Sequence, residues 1–248
     1  MDAAGAPGLK PARMRQIPLG VRLPDRAVFA SFLPARNAQA LQHLEQLASG
    51  AIAGLTWLCG PRGSGKTHLL QAACAAASER WRAGYVPLAE VAPLGGGVLE
   101  GLPQLQCLCL DDVDEVAGQA AWELGIFGLL RELEECGGHL LVAAQAPPAL
   151  TRWALPDLGS RCAAGAVFQL RGLDEQEQRA ALQLRARLRG LELPEDTWRW
   201  LRRRFPRDMG TLYQLLDTLD EASLSAQRRL TVPFIREVLR SAPRARGD

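Results

Sequence analysis

The chain has 248 residues, a formal net charge of +2 and 48% hydrophobic residues. This length and composition predict a globular protein with a sizeable core, in one or two domains, and exclude a disordered chain. The near-neutral charge argues against a dedicated nucleic-acid binder. No apolar run reaches the ~18 residues of a membrane helix, and residues 1–15, an expected flexible tail, lack the apolar core of a signal peptide. We therefore expect a cytoplasmic protein without membrane contact.

The six cysteines contain no C-x-x-C pair. This argues against a zinc site and predicts reduced, buried thiols. The histidines, His43, His68 and His139, are scattered along the chain and receive no chemical role.

A short apolar peptide with one polar head, residues 16–21, follows the tail and reads QIPLGV. It has two interpretations: a strap that lies on the domain, or a peptide that docks in a partner's groove. The residues alone favour the strap. Further on, Asn37 is a predicted helix N-cap, and leucines then recur at helical spacing until Gly50.

The octet Gly60–Thr67 reads GPRGSGKT and fits the phosphate-binding loop pattern G-x-x-x-x-G-K-[ST]. An apolar run at 55–59 predicts a strand before it, and the composition of 66–80 predicts a helix after it. A strand, a glycine-rich turn and a helix start together present backbone amides to a phosphate. We expect Lys66 to contact the β- and γ-phosphates and Thr67 to bind Mg²⁺. The remaining loop residues of the predicted nucleotide site are Gly60, Pro61, Arg62, Gly63, Ser64 and Gly65.

Strands and helices alternate after this loop. Strands are predicted at 85–88, 105–110, 140–144 and 166–170, and a helix at 120–136. This order predicts an α/β domain with a parallel sheet covered on both faces. After Leu170 only helices follow, which predicts a smaller all-helical domain. Their predicted ranges are 174–189, 195–205, 208–223 and 233–239.

Two acids, Asp111 and Asp112, end the predicted strand at 105–110. In phosphate-loop enzymes an acid at this place holds Mg²⁺ and a neighbouring base orients a water, so we assign Asp111 to the metal and Asp112 to the base. A helix-capping acid pair is the alternative. Arg161, expected on a loop before the fifth strand, is either a solvated charge or a finger that enters a neighbour's site.

A basic stretch in the helical part is either a solvated helical face or a weak nucleic-acid contact, since acids are sparse around it in the sequence. Its members are Arg185, Arg187, Arg189, Arg199, Arg202, Arg203, Arg204 and Arg207.

Taken together, these motifs resemble the AAA+ ATPases of the DnaA-initiator type, and more closely the DnaA-related regulatory inactivators. The resemblance covers about residues 16–240, almost the whole chain. The phrases that carry it are FASF at 29–32, YVPL at 85–88, LPDLGSR at 155–161, LQLRARLRGLELPED at 182–196 and SAQRRLTVPFIREVL at 225–239, beside GPRGSGKT and LCLDD.

The resemblance implies an AAA+ P-loop domain at 22–171, a helical lid at 172–242 and tails at 1–15 and 243–248. It implies negative control of replication initiation: the protein sits on the DNA-loaded sliding clamp (the DNA polymerase III beta subunit) and promotes hydrolysis of ATP bound to the DnaA initiator. It turns residues 16–21 into a clamp-binding peptide and Arg161 into an arginine finger acting in trans. The peptide residues in contact would be Gln16, Ile17, Pro18 and Leu19.

Two positions depart from the wider AAA+ pattern. Gln145 stands where a polar sensor of the γ-phosphate is expected, and Gly210 stands where relatives place a nucleotide-sensing arginine. Arg207, three residues earlier, could take over that nucleotide contact. We therefore expect bound ADP or ATP with Mg²⁺, weak hydrolysis by the chain itself, a homo-oligomer, and DNA contact through the clamp or by the lid arginines. The alternative is a self-hydrolysing ATPase that loads or remodels a replication protein.

Overall fold

The structure is a computed structural model that describes residues 27–102, 104–205, 208–226 and 230–241. Five strands form one sheet in the order β2-β3-β4-β1-β5, and each observed pairing is parallel. β1 lies between β4 and the edge strand β5, so the turn that follows it lies at the sheet's carboxyl edge, the usual site of ligands in such sheets. The strands are β1 Gly54–Cys59, β2 Ala83–Pro87, β3 Cys107–Asp111, β4 His139–Ala144 and β5 Ala166–Gln169.

The helices fall into two groups, as the sequence predicted. Five accompany the sheet: α1 Ala38–Ser49, α2 Lys66–Ala77, α3 Leu88–Val91, α4 Ala120–Glu135 and α5 Pro156–Ala164. The other four follow the last strand: α6 Glu175–Arg187, α7 Glu195–Arg204, α8 Met209–Ala226 and α9 Val232–Ser241.

Helices cover both faces of the sheet. Neighbouring residues of a strand point to opposite sides, so they pack against different helices. Trp57 and Leu58 are both fully buried. Trp57 packs in the cluster that contains Ile126 of α4, while Leu58 packs with Leu69 of α2. The predicted α/β architecture with two covered faces is therefore confirmed.

The lid helices α6–α9 enclose a third core around Leu182, Leu201, Leu219 and Ile235. The first of them begins as predicted at Asp174, which forms a capping box with Glu177. The Glu177 amide donates to Asp174 Oδ1 over 2.9 Å, and the Asp174 amide donates to Glu177 Oε2 over 2.8 Å. Two orphan amides at the helix start are satisfied in this way.

Asn37 stands at the N-cap position of α1, but its side chain does not cap the helix. Its Nδ2 donates to Arg171 O, and its Oδ1 accepts from Arg171 N, each over 2.9 Å. Beside it, Arg36 Nη2 donates to Glu177 Oε2 over 2.7 Å. These bonds link the start of α1 to the segment that leads into the lid. Asn37 therefore occupies the predicted N-cap position, but the prediction that its side chain caps the helix was wrong.

No helix among the described residues is long and apolar enough to cross a membrane. The cysteines are unpaired, and all are buried apart from Cys136, which is exposed where the chain turns after α4. The prediction of buried thiols was therefore wrong for Cys136. Within the described ranges, no cluster of His, Cys, Asp and Glu is arranged to hold a metal ion.

Candidate functional site

The loop between β1 and α2 requires glycine at two positions. A Cβ at Gly60 would lie 2.5 Å from the carbonyl oxygen of Leu170, and one at Gly65 would lie 2.7 Å from the ring of Phe32. Both glycines also have positive φ, +150° and +96°, which L-residues rarely adopt. The loop therefore packs against the end of β5 and the segment before α1 with no room for a side chain.

Four loop amides, those of Gly63, Gly65, Lys66 and Thr67, donate to no acceptor among the hydrogen bonds of the described residues. Ser64 Oγ is buried and also lacks a partner there. The amides stand at the start of α2, where the helix dipole is positive. Unused donors at a helix N-terminus form a cradle that fits a phosphate group.

Lys66 is buried at the base of this cradle, with 7% of its surface exposed. Its Nζ donates to Gly60 O over 2.7 Å and to Pro61 O over 3.0 Å, so the ammonium closes the loop on itself. Burial lowers the pKa of Lys66, and the nearby carboxylates of Asp111 and Asp112 oppose that shift. The cation therefore lies within electrostatic reach of the acid pair that follows β3.

The carboxylate of Asp111 ends β3 and is almost fully buried. Tyr85 on β2 donates its hydroxyl to Asp111 Oδ2 over 2.8 Å, and the amide of Asp112 donates to Oδ1 over 3.1 Å. Burial, followed by the charge of Asp111, raises the pKa of Tyr85, which keeps its phenol protonated as a donor. Sequence reasoning did not assign Tyr85 to the site, although it opens one of the phrases that carry the resemblance.

Asp112 adopts a left-handed backbone conformation, with φ +54°, at the start of a 3-10 turn over Val113–Glu115. Burial, and then the neighbouring charge of Asp111, raise the pKa of Asp112. A carboxylate with a raised pKa next to a buried lysine suits the role of a proton acceptor. The structure thus brings Asp111, Asp112 and Lys66 together, as the sequence predicted.

The backbone of Gln145 joins β4 to this site. Its amide donates to Asp114 Oδ2 over 2.6 Å, and its carbonyl accepts from Gly60 N over 3.2 Å. Its side chain is exposed and makes no hydrogen bond within the described part of the chain. The predicted sensor residue, Gln145, therefore lies beside the loop, and the hydrogen bonds that it forms there involve its main chain.

A cavity of about 40 Å³ lies between the phosphate loop and the lid, with Phe32, Met209 and Tyr213 in its wall. His68, on the same wall, contacts Val28 O at 3.1 Å and Ser31 Oγ at 3.3 Å. Burial lowers the pKa of His68, which favours the neutral ring. Sequence reasoning gave His68 no role, although it directly follows the octet. A cleft of about 410 Å³ between α4 and the Gly96–Gly101 segment is not lined by the phosphate loop.

The start of α8 also approaches the loop. Asp208 Oδ1 lies 3.9 Å from the position that a Cβ on Gly63 would occupy. Asp208 Oδ2 accepts from the amide and the hydroxyl of Thr211, each over 2.8 Å, and these bonds lower the pKa of Asp208. Gly210 lies at this same helix start, so the position predicted for a sensing arginine is near the loop but carries no side chain. The predicted nucleotide residue Arg207 lies outside the described residues.

Arg161 lies in α5, so its predicted placement on a loop was wrong. Its Nη1 pairs with Glu134 Oε2 over 2.6 Å, and its guanidinium lies 5.3 Å from the ring centroid of Phe127. Gly165, which follows α5, packs against Leu55 near the start of β1. Arg161 therefore lies nearer the amino edge of the sheet than the carboxyl edge, which carries the loop. The peptide residues Gln16, Ile17, Pro18 and Leu19 are outside the described residues.

A parallel sheet with a phosphate loop after an interior strand, an acid pair after β3 and a helical lid is the arrangement of the AAA+ fold. Domain III of Thermotoga maritima DnaA is similar, with TM-score 0.70 and 19% identity over 87% of this chain and 96% of that one. AMPPCP-bound DnaA from Aquifex aeolicus matches with TM-score 0.66 and 20% identity over 82% and 67%. A RuvB variant of Thermotoga maritima matches with TM-score 0.56 and 15% identity over 86% and 72%.

The lid gives the finer assignment. A family model described as the lid domain of Hda matches residues 174–239. The comparisons thus support a Hda/DnaA-related AAA+ protein: the lid matches the Hda lid family, and the fold is similar to that of DnaA. The resemblance drawn from the sequence motifs is confirmed at this level.

Proposed function

We propose that this chain is a cytoplasmic negative regulator of replication initiation. On this proposal it binds the DNA-loaded sliding clamp and promotes hydrolysis of the ATP held by DnaA, with Arg161 entering the DnaA site in trans. The observation that carries the proposal is the Hda-type lid at 174–239 on a DnaA-like fold. The proposed partners are DnaA, the clamp, and DNA reached through the clamp.

The chain's own nucleotide would be ADP or ATP, the class of ligand named for the AMPPCP-bound DnaA structures. The free amides of Gly63, Gly65, Lys66 and Thr67 would hold the phosphates, and Lys66 would exchange its two carbonyl contacts for phosphate oxygens. Thr67 and Asp111 would supply the oxygen donors for Mg²⁺, which when bound neutralises phosphate charge. Arg207 remains a proposed nucleotide contact.

The position of Arg161 supports action in trans. Within the described residues its guanidinium contacts Glu134 and Phe127 of α4 and no residue of its own phosphate loop, which favours a nucleotide brought by a neighbouring molecule. The Arg161 and Glu134 side chains are 44% and 47% exposed, and an exposed pair contributes only about 0–1 kcal/mol. Arg161 can therefore leave Glu134 at small cost. A finger used in this way implies head-to-tail contacts, with DnaA or between copies of the chain.

The second candidate, a self-hydrolysing ATPase that loads or remodels a replication protein, is favoured by Asp112. This carboxylate, with its raised pKa, is held near Lys66 and would serve as the base for the chain's own turnover. Against it stand Gly210, which has no side chain to sense a phosphate, and the exposed side chain of Gln145.

The test of the proposal follows ATP prebound to DnaA. We expect hydrolysis to accelerate only when this chain and a clamp loaded on DNA are both present. An unchanged rate in the complete mixture would exclude the regulatory role. Turnover by the chain alone, lost on Lys66→Ala or Asp111→Ala, would support the second candidate instead.

Clamp binding is tested separately at the N-terminal peptide. We expect the triple change of Gln16, Ile17 and Leu19 to alanine to abolish capture of the chain on immobilised clamp, because the apolar side chains of such a peptide fill the partner's groove. Lys10→Ala, in the preceding tail, is the control and should bind normally. Capture of the triple variant at the normal level would show that the peptide has another role.

Tyr85 is expected to position the carboxylate of Asp111 for the metal. Tyr85→Phe removes the hydroxyl that donates to Asp111 Oδ2, and loss of an outer-shell partner typically lowers metal affinity by about 10–100-fold. ADP titrations should therefore show a weakened response to Mg²⁺, while ADP affinity in EDTA stays unchanged. An equal loss with and without Mg²⁺ would mean that Tyr85 supports the fold rather than the metal.

A further inference from the structure

Four arginines of the basic stretch of the lid pack or pair with other side chains in the structure. Arg189 pairs with Asp217 on α8, Arg202 pairs with Glu175 on α6 over 2.9 Å, and Arg199 pairs with Glu195 over 3.3 Å. Arg185 is buried and lies 4.3 Å from the ring centroid of Tyr213. The acids that looked sparse along the sequence are supplied largely by other helices, so these arginines are structural.

A second set remains at the surface. Arg203 and Arg204, at the end of α7, are exposed, and so are Arg236 and Arg240 of α9. Within the described ranges, no ion pair includes any of these four side chains. We call Arg203, Arg204, Arg236 and Arg240 the lid arginine patch.

The two helices of the patch meet at Trp200. The guanidinium of Arg204 lies 5.5 Å from the Trp200 ring centroid, and that of Arg236 lies 5.8 Å from it. Arg203 follows Trp200 by three residues and so lies on the adjacent turn of α7. One turn after Arg236, Arg240 donates from Nε to the Arg236 carbonyl over 3.2 Å. The Trp200 ring thus contacts one arginine from each helix, Arg204 and Arg236, by cation–π interaction. The N–H groups at the edges of these guanidinium groups remain available as hydrogen-bond donors.

Helix dipoles explain only part of this charge. Arg204 is at the carboxyl end of α7, where a cation is favoured by the dipole, whereas Arg236 is in the middle of α9. The net charge of the whole chain is only +2, so four cations without carboxylate partners are a local concentration. Arginine also offers parallel donors that match two oxygens of one phosphate.

The surface around the patch favours DNA over an acidic protein. Protein interfaces usually have an apolar centre, with the charged groups at the rim. The exposed large aliphatic residues of the described chain do not belong to the patch; the one in the lid is Leu188, just after α6. Recognition here would therefore rest on charge and hydrogen bonds, which suits the phosphate backbone.

We infer that the lid arginine patch binds the phosphate backbone of duplex DNA without regard to sequence. This inference does not depend on DnaA or the clamp. It would give the protein a direct hold on DNA besides the contact through the clamp.

The test uses the full chain with ADP and a short fluorescein-labelled duplex, followed by anisotropy over a range of salt concentrations. For four phosphates neutralised, the slope of log affinity against log salt should be about −3.6. The double variant Arg203→Ala/Arg236→Ala should bind more weakly and lower the steepness of that slope by about 1.8. A control double variant, Arg82→Ala/Arg131→Ala, removes the same charge from the α/β domain and should behave as the normal chain.

Equal slopes for the patch variant and the control would overturn the inference. Polyglutamate of matched charge serves as a competitor, and displacement of the duplex as effective as that by unlabelled DNA would assign the patch to an acidic protein instead. Unchanged ADP binding and circular dichroism of both variants confirm that they are folded. No step involves DnaA or the clamp, so this test can fail while the regulatory function stands.

Discussion

Arg161→Ala is expected to abolish the acceleration of ATP hydrolysis on DnaA by this chain. An arginine finger in trans contributes about 10³–10⁵ to the rate, because its guanidinium neutralises charge that develops only in the transition state. The arginine is half-exposed and touches Glu134 and Phe127 on α4, so its removal leaves no buried group unpaired. Stability and ADP binding should therefore stay close to normal while the stimulated rate falls to that of DnaA alone.

Three controls make the Arg161 result specific. Arg131→Ala removes another exposed, ion-paired arginine, from α4, and should keep full stimulation. Glu134→Gln should change stimulation by no more than about 5-fold, since an exposed ion pair contributes up to about 1 kcal/mol. Arg161→Lys should not restore the rate, because lysine lacks the planar pair of donors. Normal stimulation by Arg161→Ala would remove the finger from the proposal and leave clamp and DnaA binding to be explained otherwise.

Lys66→Ala is expected to weaken ADP and ATP binding by about 10–100-fold, the loss that follows from one charged hydrogen bond of about 1.5–3 kcal/mol. Lys66 is the buried cation of the cradle, and its contacts to Gly60 and Pro61 place it at the base of the loop. Isothermal titration with ADP measures the change directly.

The control for Lys66 is Arg80→Ala, which removes an exposed cation just beyond the carboxyl end of α2. It should leave ADP affinity unchanged, because the end of a helix far from its amino terminus does not touch the phosphates. If Lys66→Ala bound ADP as tightly as the normal chain, the cradle at Gly63–Thr67 would not be the nucleotide site.

Local signals were enough to predict the phosphate loop and the acid pair after β3. The octet has a fixed spacing, and the carboxyl ends of parallel strands meet at one edge, so Lys66 and Asp111 had to be neighbours once the strands were correct. The helix that carries Arg161 also has a local sequence signal. Pro156 stands at its first turn and Asp157 follows it, a pattern typical of helix starts.

Other features depend on contacts between distant parts of the chain. The bond from Tyr85 to Asp111 joins two strands, and the partners of Arg189 and Arg202 come from other helices. Polar pairs such as these have no fixed sequence spacing, so only the packed structure shows which side chains meet. Asn37 is a similar case. Its residue type fits an N-cap, yet its side chain forms hydrogen bonds with the backbone of Arg171, just after β5.

The two main-chain hydrogen bonds of Gln145 determine which residue types position 145 can hold. The amide of Gln145 donates to Asp114 and its carbonyl accepts from Gly60, so neither bond depends on the side chain at that position. Most residue types could replace Gln145 without loss of either bond, whereas proline, which lacks an N–H, would lose the bond to Asp114 and keep only the one that its carbonyl accepts from Gly60. The exposed side chain at position 145 can therefore vary without loss of these main-chain bonds.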